Sequence, residues 1–321
     1  MSRTRTRWGS VLAVVVIAPW MAEMSWGGIP FTDMVLVVLF LGPMYGGAAL
    51  LIREVTRRTG RGWPTILLLA AAFGVLQAGI VDQSLFNPDY ARYDFQHPVH
   101  VDGIDISLYH LVSFVTGHVV ASISIPIVIA ESWSRRAAEP WLSRRGLWFV
   151  GVLYVLASVL NHVGVKDEDG DGFQAAPHQV VTAMGVVALL VAIALTWRRR
   201  PVTARAAPPV RLLVVLGFLA HLLYLPAENA ASLAVAAAVI TAAVALVGGW
   251  SRSSAWTSAH TFWLAMGAAL VGVVVPYLAE PYDVGVSART EVVNDTAAAL
   301  GCLLLVGLSA YRRSRLALQP A

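Results

Sequence analysis

Long apolar runs alternate with short polar breaks along the whole chain. The runs fall at 9–27, 31–52, 64–86, 106–130, 146–164, 176–197, 211–229, 231–250, 259–279 and 293–311. Each is close to the ~20 residues a helix needs to cross a hydrocarbon core of about 30 Å. In lipid, only a helix satisfies its own backbone groups over such a stretch. The pattern therefore predicts an all-α, polytopic helical bundle of ten transmembrane spans, one domain over 1–321. The seventh and eighth spans, joined near Asn229, have the weakest border. Gly42-Pro43, Pro126 and Pro276 fall inside runs and predict breaks or kinks.

Composition agrees with this picture. Hydrophobic residues make up 57% of the chain and charged residues 13%, about half the charge of a soluble domain. A soluble enzyme with a separate core is excluded. Cys302 is the only cysteine, so no disulfide forms within the chain.

Charge placement gives a direction. When successive loops are assigned to alternate sides, only Arg92, Lys166 and Arg289 of the 23 basic residues fall on the side opposite the N-terminus. The positive-inside rule then predicts both termini in the cytoplasm and a cell-membrane location. Of the acidic residues, Glu54, Glu131 and Glu139 share the basic side and the rest lie opposite. The arginines stand between apolar runs and not along one face, so the net charge of +4 does not indicate nucleic acid. A face this basic is expected to attract anionic lipid headgroups. The MSRTRTRW start and first apolar run resemble a signal peptide, but Trp20 spoils the small-x-small cleavage pattern ending at Ala22. The first run is therefore read as a span.

Depth separates the chemistry. Inner halves such as VLAVVVIA and LLVVLGFLA are apolar, whereas outer halves carry Glu23, Asp82, His110, His162, His178 and Glu228, and His118 and His221 sit near mid-depth. Ionisable groups within a span normally face the bundle interior or a water-filled cavity, so an outward-opening polar vestibule is expected. Helical spacing puts Tyr154, Ser158, Asn161 and His162 on one stripe, and His221, Tyr224 and Glu228 on another. His110, Gly117, His118 and Ser122 share a third face, and His178 and Thr182 are one turn apart. His118, His162, His178 and His221, with Glu23 and Asp82, are the candidate acid/base groups or transition-metal ligands. No HExxH or G-x-S-x-G motif accompanies them.

The sharpest short motif is Asp167-Glu-Asp169-Gly-Asp171-Gly172, the opening of an EF-hand-type loop, in which carboxylates at positions 1, 3 and 5 surround Ca²⁺. His178 stands where the bidentate glutamate belongs, so a weak structural calcium site is expected. Tyr90, Tyr93 and Phe95 in the longest loop suit an interfacial aromatic belt, or else a lid over the vestibule.

Three classes of function fit these residues. The first is a metal- or His-dependent membrane enzyme acting on a lipid-like substrate at the outer leaflet. The second is a secondary transporter with five-plus-five organisation. The third is an assembly or sensory subunit without turnover of its own.

Overall fold

The computed structural model describes residues 7–168, 172–198, 201–224, 227–279 and 285–318. Among these, eight helices are long and apolar enough to cross a membrane, and two shorter apolar helices bring the number to ten. In chain order they are α1 (Trp8–Met24), α2 (Phe31–Arg58), α3 (Trp63–Val81), α4 (Leu108–Ser132), α5 (Arg144–Asp167) and α6 (Pro177–Thr196). They continue with α7 (Val210–Leu222), α8 (Ala230–Trp250), α9 (Ser258–Tyr277) and α10 (Ala288–Ala317). The all-α, polytopic expectation holds, with borders close to those of the hydropathy runs.

One border moves, and with it a predicted stripe. Helix α7 ends at Leu222, where Leu223 leaves helical geometry at φ −100°, ψ 0°. Leu225-Pro226 come next in the sequence, and proline cannot donate to a continuing ladder. Tyr224 and Glu228 thus lie in the connection and not on a helical face with His221. Asn229 belongs to the next helix: its side chain accepts from the Ser232 N–H at 2.9 Å and caps α8.

Helices α1 and α4 are central, each contributing to both large apolar cores. One core joins Val14, Met44, Leu50, Ile66, Ile123 and Trp141. The other joins Trp20, Ile125, Ile129, Phe262, Met266 and Cys302. Helices α5 and α8 are peripheral, and Trp148, Phe149 and Leu160 of α5 point away from the protein.

The loops group by charge. At one end, the backbone N–H of Arg7 donates to Trp141 O, Arg61 donates to Trp197 O, Arg252 to Pro201 O and Arg313 to Ser258 Oγ. This is the basic end. At the acidic end, the segment between α3 and α4 folds down as a cap. It holds a short antiparallel hairpin, β1 (His100–Val101) with β2 (Ile106–Ser107), paired His100 to Ser107. Gln96 fastens the cap by donating to Phe86 O and Asp105 O, and Gln179 of α6 donates to Ile104 O. Phe95 packs against His110 and Phe114, with ring centroids 4.8 and 5.3 Å away, while Tyr90 and Tyr93 lie against Phe95. These aromatics pack together against the acidic end of α4. Slight desolvation tends to raise the pKa of Asp94 in this cap. The His97 ring and the backbone N–H groups of His97 and Gln96 outweigh it and hold the carboxyl below its usual range.

Candidate functional site

One turn in each of the first four helices is wound as π-helix, and each of these turns carries a polar side chain. They are Trp20–Met24 with Glu23, Gly42–Gly46 with Tyr45, Gln77–Val81 with Gln77, and His118–Ser124 with His118 and Ser122. Prolines accompany three of them. Pro19 directly precedes the first turn, Pro43 lies within the second, and Pro126 comes just after the fourth. A proline removes one ladder donor, and its ring crowds the carbonyl four residues back. A π turn is in effect a one-residue insertion, rotating the rest of the helix by about 100° relative to a continuous α-helix. Such turns concentrate at functional sites.

The rotated side chains meet. Tyr45 Oη donates to Glu23 Oε1 at 2.5 Å. The Tyr45 ring lies 5.8 Å from the His118 ring, and Phe73 closes the group at 5.3 Å from His118. His118 Nδ1 and Ser122 Oγ are 3.0 Å apart. Close approach of α3 and α4 makes this possible: a Cβ at Gly74 would sit 3.0 Å from Val115 Cα and 3.3 Å from His118 Cβ. Toward the acidic end, Asp82 lies within electrostatic reach of Glu23 and accepts from Ser84 N and Oγ at 3.1 and 2.8 Å. Gln77 Nε2 is 3.5 Å from both Asp82 Oδ2 and Asn161 Oδ1. Its Oε1 is buried with no hydrogen-bond partner among the described residues. His162 completes the mouth, with Nδ1 2.9 Å from Val81 O.

At 1.5 Å per residue, Tyr45 sits about 20 Å from either end of α2, and His118 about 15 Å from the acidic end of α4. The polar groups therefore run from the surface to mid-bilayer depth. At the mouth, Asp82, Asn87, His162, Lys166 and Gln174 line a depression with room for about one water. The expected open vestibule is instead a packed polar column.

Of the predicted site residues, Glu23, Asp82, His118 and His162 belong to this column. Two do not. His178 is exposed on α6, and its side chain makes no hydrogen bond or ring contact among the described residues. His221 stacks on Tyr224 at 5.6 Å, with Nδ1 buried and without a hydrogen-bond partner among the described residues. Among the described residues, no group of three or more His, Cys, Asp or Glu side chains is placed to hold a metal ion. In the proposed calcium loop, Asp167 is exposed at the end of α5, while Asp169 and Asp171 lie outside the described residues. Tyr45 and Gln77 are the column members that sequence reasoning does not select.

A second polar cluster lies at the basic end, where the sequence shows only topology-setting charges. Arg53 and Glu54 are fully buried and paired at 3.0 Å. Arg53 also reaches Glu131 at 3.0 Å, donates to Ala137 O and Glu139 O, and lies 3.3 Å over the Trp141 ring. Arg57 grips Glu131 with two bonds of 2.8 and 2.7 Å. Glu54 also accepts from Trp141 N at 2.6 Å and Leu142 N at 3.3 Å. Helices α2 and α4 are thus tied to the segment between α4 and α5, and the basic half of the bundle is not uniformly apolar.

Ten apolar helices, a polar column within the bundle and charges collected at its two ends define a polytopic integral membrane protein. Residues 12–316 match the profile of a family described as an uncharacterized membrane protein family, and the chain belongs to it. No curated protein and no solved structure matches the chain.

Proposed function

We propose that the protein is a proton-linked secondary transporter. The observation that carries this reading is the meeting of three π turns, which joins Glu23, Tyr45 and His118 inside the bundle, with Gln77 of the fourth linking Asp82 to Asn161 above them. Protonatable groups inside a bundle are costly, and they commonly serve as relays in pumps and transporters. Glu23, Tyr45 and His118 can each accept and release a proton, and Gln77 and Ser122 can pass a hydrogen bond along. Asp82 and His162 are the exchange point with water. The Arg53–Glu54–Glu131 cluster closes the basic end with ion pairs, which can open and re-form as an apolar plug cannot.

An enzyme acting on a lipid-like substrate would need a lipid-sized opening beside its acid and base. The mouth at Asp82 has room for about one water, which favours the transport reading. In this proposal both termini are cytoplasmic, the basic end attracts anionic lipids of the cell membrane, and Asp82 faces outward. The Asp167–Gly172 loop is proposed as a weak structural Ca²⁺ site, in the ~10⁻⁴–10⁻³ M range of extracellular modules.

The test is electrical. Proteoliposomes on a solid-supported membrane are challenged with pH jumps and with jumps of metal cations, amino acids, organic anions and organic amines. A current that wild type gives, and that Glu23→Gln abolishes, is the expected result. Identical wild-type and Glu23→Gln traces across the whole panel would overturn the reading.

A further inference from the structure

The basic end holds a groove that the transport reading does not use. Arg58, Pro140, Arg144, Leu147 and Trp148 line a cavity of about 670 Å³ where α2, the α4–α5 segment and the start of α5 meet. Its two cations differ in how they are held. Arg58 is fixed in place, with Nε donating to Glu54 Oε2 at 3.1 Å and Nη2 donating to Leu142 O. Its Nη1 has no protein partner among the described residues, and the side chain is 26% exposed. Arg144 has no hydrogen-bond or ion-pair partner among the described residues and is exposed.

The charges of the adjoining cluster show what the groove lacks. Glu54 and Glu131 serve three guanidinium groups, those of Arg53, Arg57 and Arg58, so one positive charge is left over. Arg144 adds another. Glu139, in the same α4–α5 segment, is taken by Arg7 at 3.2 Å and Arg136 at 3.6 Å. The surplus charge of the cluster and the unpaired Arg144 therefore leave the groove net positive, although Arg58 itself is paired with Glu54.

The walls indicate what carries the anion. Trp148 is 78% exposed and lies one turn into a membrane helix, the depth at which tryptophan sits among headgroups. Leu147 and Pro140 complete an apolar side. We propose that this groove binds the phosphate of an anionic ligand, with the headgroup of an anionic phospholipid as occupant and its acyl chains running along the outer face of α5. Arg58 offers a positioned donor, Arg144 a mobile one, and Trp148 the surface for the glycerol and first methylenes. This is a discrete site, beyond the diffuse attraction of a basic surface, and it does not depend on the transport proposal.

Native mass spectrometry of the full-length protein, released from detergent containing dioleoyl phosphatidylglycerol or dioleoyl phosphatidylcholine, tests it. Wild type is expected to retain the glycerol lipid in preference to the choline lipid. A juxtamembrane arginine contributes about fivefold to anionic-lipid binding, so Arg144→Gln should lower retention of phosphatidylglycerol by about that factor. Arg315→Gln, at the same end of the bundle and outside the groove, should lower it less, and an equal loss in the two variants would reduce the site to diffuse attraction and overturn it. Both residues are exposed, so both variants should fold. A parallel melting series with inorganic phosphate separates the sources. An Arg144-dependent shift with phosphate, and no lipid preference, would assign the groove to a soluble phosphate compound. Equal retention by wild type, Arg144→Gln and Arg315→Gln, with no Arg144-dependent phosphate shift, would overturn the site.

Discussion

The contact between Glu23 and Tyr45 is the part of the column whose energetics can be isolated. Tyr45→Phe removes the one hydroxyl donating to Glu23 Oε1 while preserving the ring that packs on Phe73 and His118. Losing a half-buried hydrogen bond of this kind costs about 0.5–1.5 kcal/mol, so the variant should be less stable in detergent by an amount in that range. In the Glu23→Gln background the same phenol deletion should cost less, because an amide is a weaker acceptor than a carboxylate. Additive losses in that double-mutant cycle would show that the two side chains are not coupled. Glu23, Asp82, His118 and His162 are legible in the sequence because polar residues at such depth need a reason to be there. Tyr45 is not, because it stands in a run whose inner half reads as apolar. His178 and His221 fail as members because outer-half position alone does not say whether a side chain faces the bundle or leaves it.

At the scale of the element, α-helical spacing is a sound guide only between breaks. The stripe Tyr154, Asn161 and His162 on the uninterrupted α5 faces Phe73, Gln77 and Val81 as its period implies. Across a π turn the period slips, so the faces of Glu23, Tyr45 and Gln77 are not readable by counting. The prolines that signal three of those breaks are visible as kinks, without the rotation they produce. Close helix contact leaves a clearer trace. Gly217 of α7 and Gly267 of α9 face each other's backbones: an added Cβ would lie 2.1 Å from Leu264 O and 2.1 Å from Val214 O respectively. Gly217→Ala or Gly267→Ala must push the helices apart and should destabilise the protein by about 1–3 kcal/mol. Gly248→Ala on α8, with open space around its Cβ, is the matched control and should melt no lower than wild type. A Gly217→Ala protein as stable as that control would refute the close crossing. The buried arginine cluster makes the opposite kind of claim. Arg53→Met leaves Glu54 paired only with Arg58 and Glu131 only with Arg57, and losing the buried charge-assisted bonds of Arg53 to them should cost about 1.5–3 kcal/mol. A melting point unchanged from wild type would mean that water reaches those carboxylates.

For the whole molecule, the charge pattern along the chain and the packing of the loops agree. Segments far apart in sequence meet at the basic end through Arg7, Arg61, Arg252 and Arg313. Gln83 and Gln179 join segments at the acidic end by bonding to Ala175 N and Ile104 O. Which end faces the cytoplasm rests on the arginine bias, and this can be tested without removing any native residue from the core. Cys302 is the only cysteine and is 1% exposed, so the native protein is silent to a membrane-impermeant maleimide. Lys166→Cys places a thiol at the acidic end of α5, and Arg315→Cys places one at the basic end of α10. In intact cells the first should label and the second should label only after permeabilisation. The reverse result would turn the protein over, put Asp82 and His162 in contact with cytoplasmic water, and make the column an entry from within. Equal labelling of both in intact cells would break the alternation of ten spans, because residues at opposite ends of a bundle cannot share one side of a sealed membrane.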